Sequence, residues 1–279
     1  MAAGPIGAAF ASNEVEVLSR QMDRIADIEA WGYDSVWLGE HIMFHLPLFD
    51  NITALANVAG RTSTIKVGTG ITLLPLRHPT VVAKAAGTLD VVSGGRLIFG
   101  IGIGGEFAKE FEAVGVPVNE RGARTNESLE VIRRLWTEDH VAFEGRYFQL
   151  SDVTMEPKPV QQPHPPIWIA GRSEAAYRRT AKYGDGFLPY LFTPDQYRAA
   201  WQQIGEYAAG EGRDPGQLTA AEFLFFNINQ DREEAKRALA DDMSRRYNMP
   251  FHRLIERYCL FGAPDDIAEG IDRYRRAGL

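Results

Sequence analysis

Short apolar runs rich in β-branched residues alternate along the chain with longer stretches whose apolar positions recur at the helical period. This alternation is the pattern of repeated βα units feeding a parallel sheet. It predicts strands over Pro5–Phe10, Ser35–Leu38, Ile65–Thr69, Leu97–Ile103, Ile167–Ala170, Gly186–Tyr190 and Ala221–Ile228. These runs read as continuously apolar, as strands covered on both faces do. Helices are predicted near Glu14–Ala30, Asn51–Ala59, Thr80–Val92, Arg124–Glu138, Glu174–Tyr183, Pro194–Ala209, Arg232–Tyr247 and Pro264–Ala277. Ser12 or Asn13 can cap the first helix and Ser173 the fifth, while Gly32 can end the first in a left-handed conformation.

Seven strands and eight helices in about 250 residues is the arithmetic of a (β/α)8 barrel, the TIM barrel; a doubly wound sheet is the alternative, and the barrel is preferred. Two features depart from a minimal barrel. Residues 140–166 hold a hairpin-like VAFEGRYFQL, with its turn at Glu144-Gly145, and then a proline-rich run, so they are expected to be an insertion before the fifth strand. The residues end at Ala277-Gly278-Leu279, where an eighth strand should begin, so that strand is expected to be absent or unrecorded. Truncation, a further tail or an edge covered by a partner would each account for it.

Composition narrows the partners. The 279 residues carry 45% hydrophobic, 11% aromatic and 24% charged residues, the balance of a folded chain. With 30 Lys+Arg against 37 Asp+Glu, net charge −7, there is no electropositive excess of the kind nucleic acid needs, although a local basic patch stays open. Cys259 is the lone cysteine, which excludes an intrachain disulfide and a cysteine-based zinc site and suits a reducing cytosol. The opening MAAGPIGAAF lacks a basic segment, and no apolar run approaches the ~20 residues a membrane helix requires, so a cytoplasmic protein is expected.

Barrel chemistry gathers at the C-terminal ends of strands. There the chain places Gly39-Glu40-His41, Gly68-Thr69-Gly70-Ile71-Thr72, the run Gly100 to Glu106, and Gly171-Arg172-Ser173. His41 directly follows an apolar strand and can donate, accept or titrate near neutral pH; packing at a loop start is its other reading. A metal site with His45 lacks further ligands, so none is expected. The glycine run lacks the Lys-Ser/Thr end of a P-loop and instead lets a strand end approach something flat or bulky, such as a cofactor. Glu106 is either a proton donor or acceptor or the acidic start of a helix. Gly171-Arg172-Ser173 joins free backbone N–H groups, a hydroxyl and a guanidinium, a site ready for a phosphate or an ordinary helix cap.

Together, Trp31–His41 (WGYDSVWLGEH), Val67–Phe107, Arg121–Thr137 and Pro165–Phe187 (PPIWIAGRSEAAYRRTAKYGDGF) resemble the luciferase-like superfamily of flavin and deazaflavin oxidoreductases, and most closely its coenzyme F420-dependent branch. The resemblance implies one (β/α)8 domain over residues 1–279. It implies a non-prolyl cis peptide at Gly70-Ile71, a bulge backing the isoalloxazine-like ring. His41 matches the histidine beside the ring, Glu106 a glutamate proposed to protonate the deazaflavin in a sugar-phosphate dehydrogenase branch, and Gly171, Arg172 and Ser173 the loop holding the cofactor phosphate. That branch has a tryptophan a few residues after the histidine, where this chain has Phe44 and His45, so its substrate is not carried over.

The expected function is hydride transfer between F420 and a small organic substrate. FMN-dependent monooxygenation is the alternative, and a non-catalytic cofactor-binding barrel is a third. Pro189–Phe192 and Phe223–Phe226 are expected to line a hydrophobic substrate pocket, with plain barrel core as their other reading. A homodimer is expected, as is common in the superfamily.

Overall fold

The structure is a computed structural model that describes residues 6–10 and 15–279; Pro5, the proposed caps Ser12 and Asn13, and Glu14 lie outside the described residues. The chain divides into two compact units, residues 1–168 and 169–279.

In the first unit the strands Gly7–Phe10, Ser35–Leu38, Lys66–Thr69 and Leu97–Gly102 lie side by side in that order. All pair parallel, with Phe10 opposite Leu38, Leu38 opposite Thr69 and Val67 opposite Leu97. Every residue of Ser35–Leu38 is buried, as a strand covered on both faces requires. Trp37 fills the space over its neighbours: its Nε1 donates to Ser35 Oγ (2.8 Å), its ring lies 5.1 Å from that of Trp168, and a Cβ on Gly68 would meet it at 2.3 Å. The predicted first helix is two, Val15–Asp23 and Ile25–Ala30, and the others run over Asn51–Arg61, Pro79–Val92 and Arg121–Thr137. A short helix outside the predicted ranges, Ala108–Ala113, follows the fourth strand.

Two polar clamps fix the N-terminal ends of the strands. Buried Arg96 donates to the carbonyls of Ala59 (2.9 Å), Thr62 (3.1 Å), Ile65 (3.0 Å) and Ser93 (2.6 Å) and to Thr62 Oγ1 (2.9 Å). Glu29 accepts the backbone N–H groups of Ser63, Thr64 and Ile65.

Residues 140–166 contain the hairpin read from the sequence. Val141–Glu144 pairs antiparallel with Gln149–Val153, closed by the Gly145 N–H on Phe148 O (2.9 Å). Buried Asp90 anchors the proline-rich run after it, accepting from the N–H groups of Val160 (2.8 Å) and Gln161 (3.0 Å) and from Gln161 Nε2 (2.6 Å).

In the second unit the Leu188 N–H donates to Ile169 O (3.0 Å), and Gly186–Phe187 pairs parallel with Thr219–Ala220. The single run predicted at Ala221–Ile228 is divided: Thr219–Ala220 and an isolated bridge from Tyr190 to Phe223 come first, and Phe226–Ile228 forms a separate strand. Phe226–Ile228 pairs parallel with Leu260–Gly262, Phe226 opposite Leu260. Leu260–Gly262 is a strand outside the predicted ones; with Phe226–Ile228 it forms a two-stranded sheet of its own, and Pro264–Arg275 is the helix that follows it. Three residues directly after the short helix Ile255–Tyr258 are too few for periodicity to show.

Glu174–Tyr183, Pro194–Gly210 and Arg232–Tyr247 are the remaining long helices, started by Ser173, by a Thr193/Gln196 capping box and by Asp231. Phe187, Tyr197, Ile204 and Leu218 form one core, and Leu239, Met243, Phe251, Ile255 and Phe261 another.

Candidate active site

In the first unit the chemistry stands where the strands end. The Gly70 N–H still donates to Leu38 O (2.8 Å), and the Gly70-Ile71 peptide is cis. Pairing with the fourth strand then changes register. Gly68 faces Ile98 and Thr72 faces Ile101, so residues 69–71 lie opposite residues 99–100, a one-residue bulge. Gly70 and Ile71 are half-buried, so the bulge presents backbone and an apolar side chain.

Beneath it lies a polar layer that the sequence reading passed over. Buried Glu40 accepts the Leu73 N–H (2.9 Å) and pairs with Arg77 Nη2 (2.7 Å), which also meets Asp50 Oδ2 (2.5 Å). Asp50 caps the helix Asn51–Arg61 at the Thr53 N–H (2.8 Å), and Asn51 Nδ2 reaches Thr72 Oγ1 (3.2 Å). Burial pushes the Glu40 carboxyl up against the pull of Arg77. Asp50 is held down by the Thr53 and Arg77 donors despite its own desolvation. The layer ties the residue before His41 to the segment after the bulge.

His41 follows Glu40 with its side chain 15% exposed. Nδ1 lies 3.1 Å from Glu110 Oε1 and 3.2 Å from Oε2, and the Ile42 N–H donates to Oε2 (3.2 Å). The Phe44 ring stacks on the imidazole at 4.0 Å and 7°, and Phe107 meets Phe44 edge-on at 5.9 Å. Glu106 is exposed in the bend before Ala108–Ala113, four residues ahead of Glu110. The carboxylate that the fold sets on His41 is therefore Glu110. A signal for it was present: Glu110 lies on the stripe Phe107, Phe111, Val114 at spacings of three, four and seven, so a helix there buries it.

In the second unit Gly171 has φ +140, and a Cβ on it would meet Ala176 Cβ at 2.7 Å. Ser173 caps the following helix, its Oγ accepting the Ala176 N–H (3.4 Å). Arg172 and Ser173 are exposed, with the Arg172 guanidinium 4.8 Å from the centre of the Tyr190 ring. Glu222 follows Thr219–Ala220 with Oε1 accepting the Phe192 N–H (3.4 Å), while its buried Oε2 and the buried Tyr197 hydroxyl have no hydrogen-bond partner among the described residues. Burial pushes the Glu222 carboxyl well above the usual range.

In the first unit the bulge at Gly70-Ile71 offers a surface of backbone and one apolar side chain on which a flat ring can rest. In the second unit the N-terminus of Glu174–Tyr183, the Ser173 hydroxyl and Arg172 offer donors that suit a phosphate. Among the described residues no cluster of three His, Cys, Asp or Glu could hold a metal, and no helix is long and apolar enough to cross a membrane.

The chain belongs to the luciferase-like monooxygenase family, whose profile matches residues 4–279. It is an oxidoreductase of the luciferase-like type. It is 28% identical to the F420-dependent glucose-6-phosphate dehydrogenase of Kineococcus radiotolerans, over 96% of this chain and 87% of that one. It is 29% identical to a phthiodiolone/phenolphthiodiolone dimycocerosates ketoreductase of Mycobacterium bovis over 75% of this chain, a match spanning 61% of the ketoreductase. Monooxygenase RslO1 from Streptomyces bottropensis shares its fold at TM-score 0.86 and 25% identity, over 98% of this chain and 89% of that one. Two more distant structures show the same fold. One is an F420-dependent secondary alcohol dehydrogenase in complex with an F420-acetone adduct (TM-score 0.87, 22% identity, 99% and 91% of the two chains). The other is the FMN-bound oxygenating constituent of 3,6-diketocamphane monooxygenase from Pseudomonas putida (TM-score 0.78, 20% identity, 98% and 88%). The architecture is thus that of the α/β luciferase-like barrel enzymes, and a flavin or deazaflavin is the cofactor class.

Proposed function

We propose that the chain uses coenzyme F420 to move a hydride to or from a small, fairly hydrophobic organic substrate. The observation that carries this reading is a histidine gripped by a buried carboxylate at the end of Ser35–Leu38, next in the sheet to the strand that ends in the bulge at Gly70-Ile71. The likeness to the F420-dependent dehydrogenase, over nearly the whole of both chains, supports the same cofactor.

When bound, F420 supplies a carbon in place of the flavin N5, so hydride pairs move while oxygen is activated poorly. Gly70 and Ile71 would back the ring, and Gly171, Arg172 and Ser173 would hold the phosphate. His41 would take or give the proton of the substrate oxygen, and Glu106 would hold a proton for the ring. Phe44, where the sugar-phosphate branch has a tryptophan nearby, favours a different substrate. Action as a homodimer in the cytoplasm is part of the same proposal.

A second reading, FMN-dependent monooxygenation by the same residues, is supported by the match to RslO1. Side-by-side titration of the purified protein with F420 and FMN, followed by fluorescence, separates the two. F420 binding at least roughly tenfold tighter than FMN is the expected result. The reverse order moves the assignment to a monooxygenase, and binding of neither defeats both.

A further inference from the structure

The His41–Glu110 contact joins an imidazole that is only 15% exposed to a carboxylate whose side chain has no exposure at all. A buried carboxylate is tolerated where donors reach it, and two do here: His41 Nδ1 and the Ile42 N–H. An ionised carboxylate only accepts hydrogen bonds, so the nitrogen facing it carries a proton. In the neutral imidazole this leaves the lone pair on Nε2. The face of the ring is fixed separately, by Phe44 stacked nearly parallel at 4.0 Å. Edge and face together leave the imidazole one tautomer and one orientation.

We infer that Glu110 is a positioning residue that holds His41 as the Nδ1–H tautomer and so presents Nε2 as the proton acceptor. The inference rests on the reading of His41 as the group that handles the substrate proton, and it adds the residue that sets which nitrogen does so. Glu110 reaches this position because Ala108–Ala113 turns it inward beside Phe111, which is fully buried. An amide at this position can donate as well as accept, and the tautomer would no longer be fixed.

The test is a long-range ¹H–¹⁵N correlation spectrum of the uniformly ¹⁵N-labelled full chain, at a pH where the imidazole is neutral. The His41 signals are assigned by their loss in His41→Gln. The expected result is an Nδ1–H His41 in the unaltered protein and an Nε2–H or averaged His41 in Glu110→Gln, with Glu110→Asp keeping Nδ1–H. An Nε2–H or averaged His41 in the unaltered protein overturns the inference, as does an unchanged Nδ1–H signal in Glu110→Gln. If Glu110→Gln does not fold, the spectrum of the unaltered protein decides alone. Absence of F420 binding alongside an Nδ1–H His41 defeats the proposed cofactor and leaves this inference standing; F420 binding alongside an averaged His41 does the opposite.

Discussion

Gly100 and Thr69 meet so closely that a Cβ on Gly100 would lie 2.1 Å from the Thr69 carbonyl oxygen, and the Thr69 hydroxyl donates to Gly100 O at 2.6 Å. Glycine is required here by the neighbouring strand, before any ligand is considered. Gly100→Ala has to push strand backbone aside, and we expect it to cost about 3 kcal/mol or more by denaturant unfolding. A loss within 0.5 kcal/mol or so would show that the strands can separate freely.

Arg96 satisfies four carbonyls and a hydroxyl from inside the protein. Lysine brings three donors on one atom and cannot span them. Arg96→Lys should therefore leave buried carbonyls unpaired and destabilise by about 2–4 kcal/mol, read from the urea midpoint. An unchanged midpoint would mean that water reaches those groups.

Burial alone would raise the Glu29 carboxyl, but the N–H groups of Thr64, Ile65 and Ser63 and the Thr64 hydroxyl bring it down from 4.5 to about 2. A folded-state value below the unfolded one gives stability that is present above about 4.5 and is lost as pH falls toward 2. Unfolding free energy measured at pH 5 and pH 3 should fall further in the unaltered protein than in Glu29→Gln. Equal losses would remove Glu29 from the acid response.

Glu222 has the opposite sign. Its desolvation outweighs the Phe192 N–H and the Arg172 guanidinium and holds the carboxyl well above 4.5. The folded state then keeps a proton that the unfolded chain releases, so stability falls as pH rises above 4.5 until the folded group ionises. Glu222→Gln should raise Tm at pH 7 by about 2–4 °C and leave it unchanged at pH 4. A lower Tm at pH 7 would show that the ionised form is the one the fold stabilises.

The cofactor and proton roles separate by readout. Arg172→Ala should weaken F420 binding roughly tenfold to a hundredfold, the worth of one charge-assisted contact, and unchanged affinity would defeat the phosphate assignment. His41→Ala and Glu106→Gln should lower turnover roughly a hundredfold or more with cofactor affinity kept. Full activity in either variant would remove that residue from the mechanism.

The periodic pattern by itself determined the βα order, the strand Ser35–Leu38 and the helices Glu174–Tyr183 and Arg232–Tyr247 to the residue, because burial of one stripe or of both strand faces is written into local spacing. It also placed His41 and the glycines at strand ends. Leu260–Gly262 escaped it, since a three-residue strand is specified by its parallel partner Phe226–Ile228 and has no period of its own. The same holds for the one-residue bulge at Gly70-Ile71, which exists only as an offset between two paired segments. That Glu110 is the partner of His41 was decided by tertiary structure as well. Which of two carboxylates four residues apart meets an imidazole 69 positions away depends on which face the short helix turns inward, and packing around Phe111 sets that.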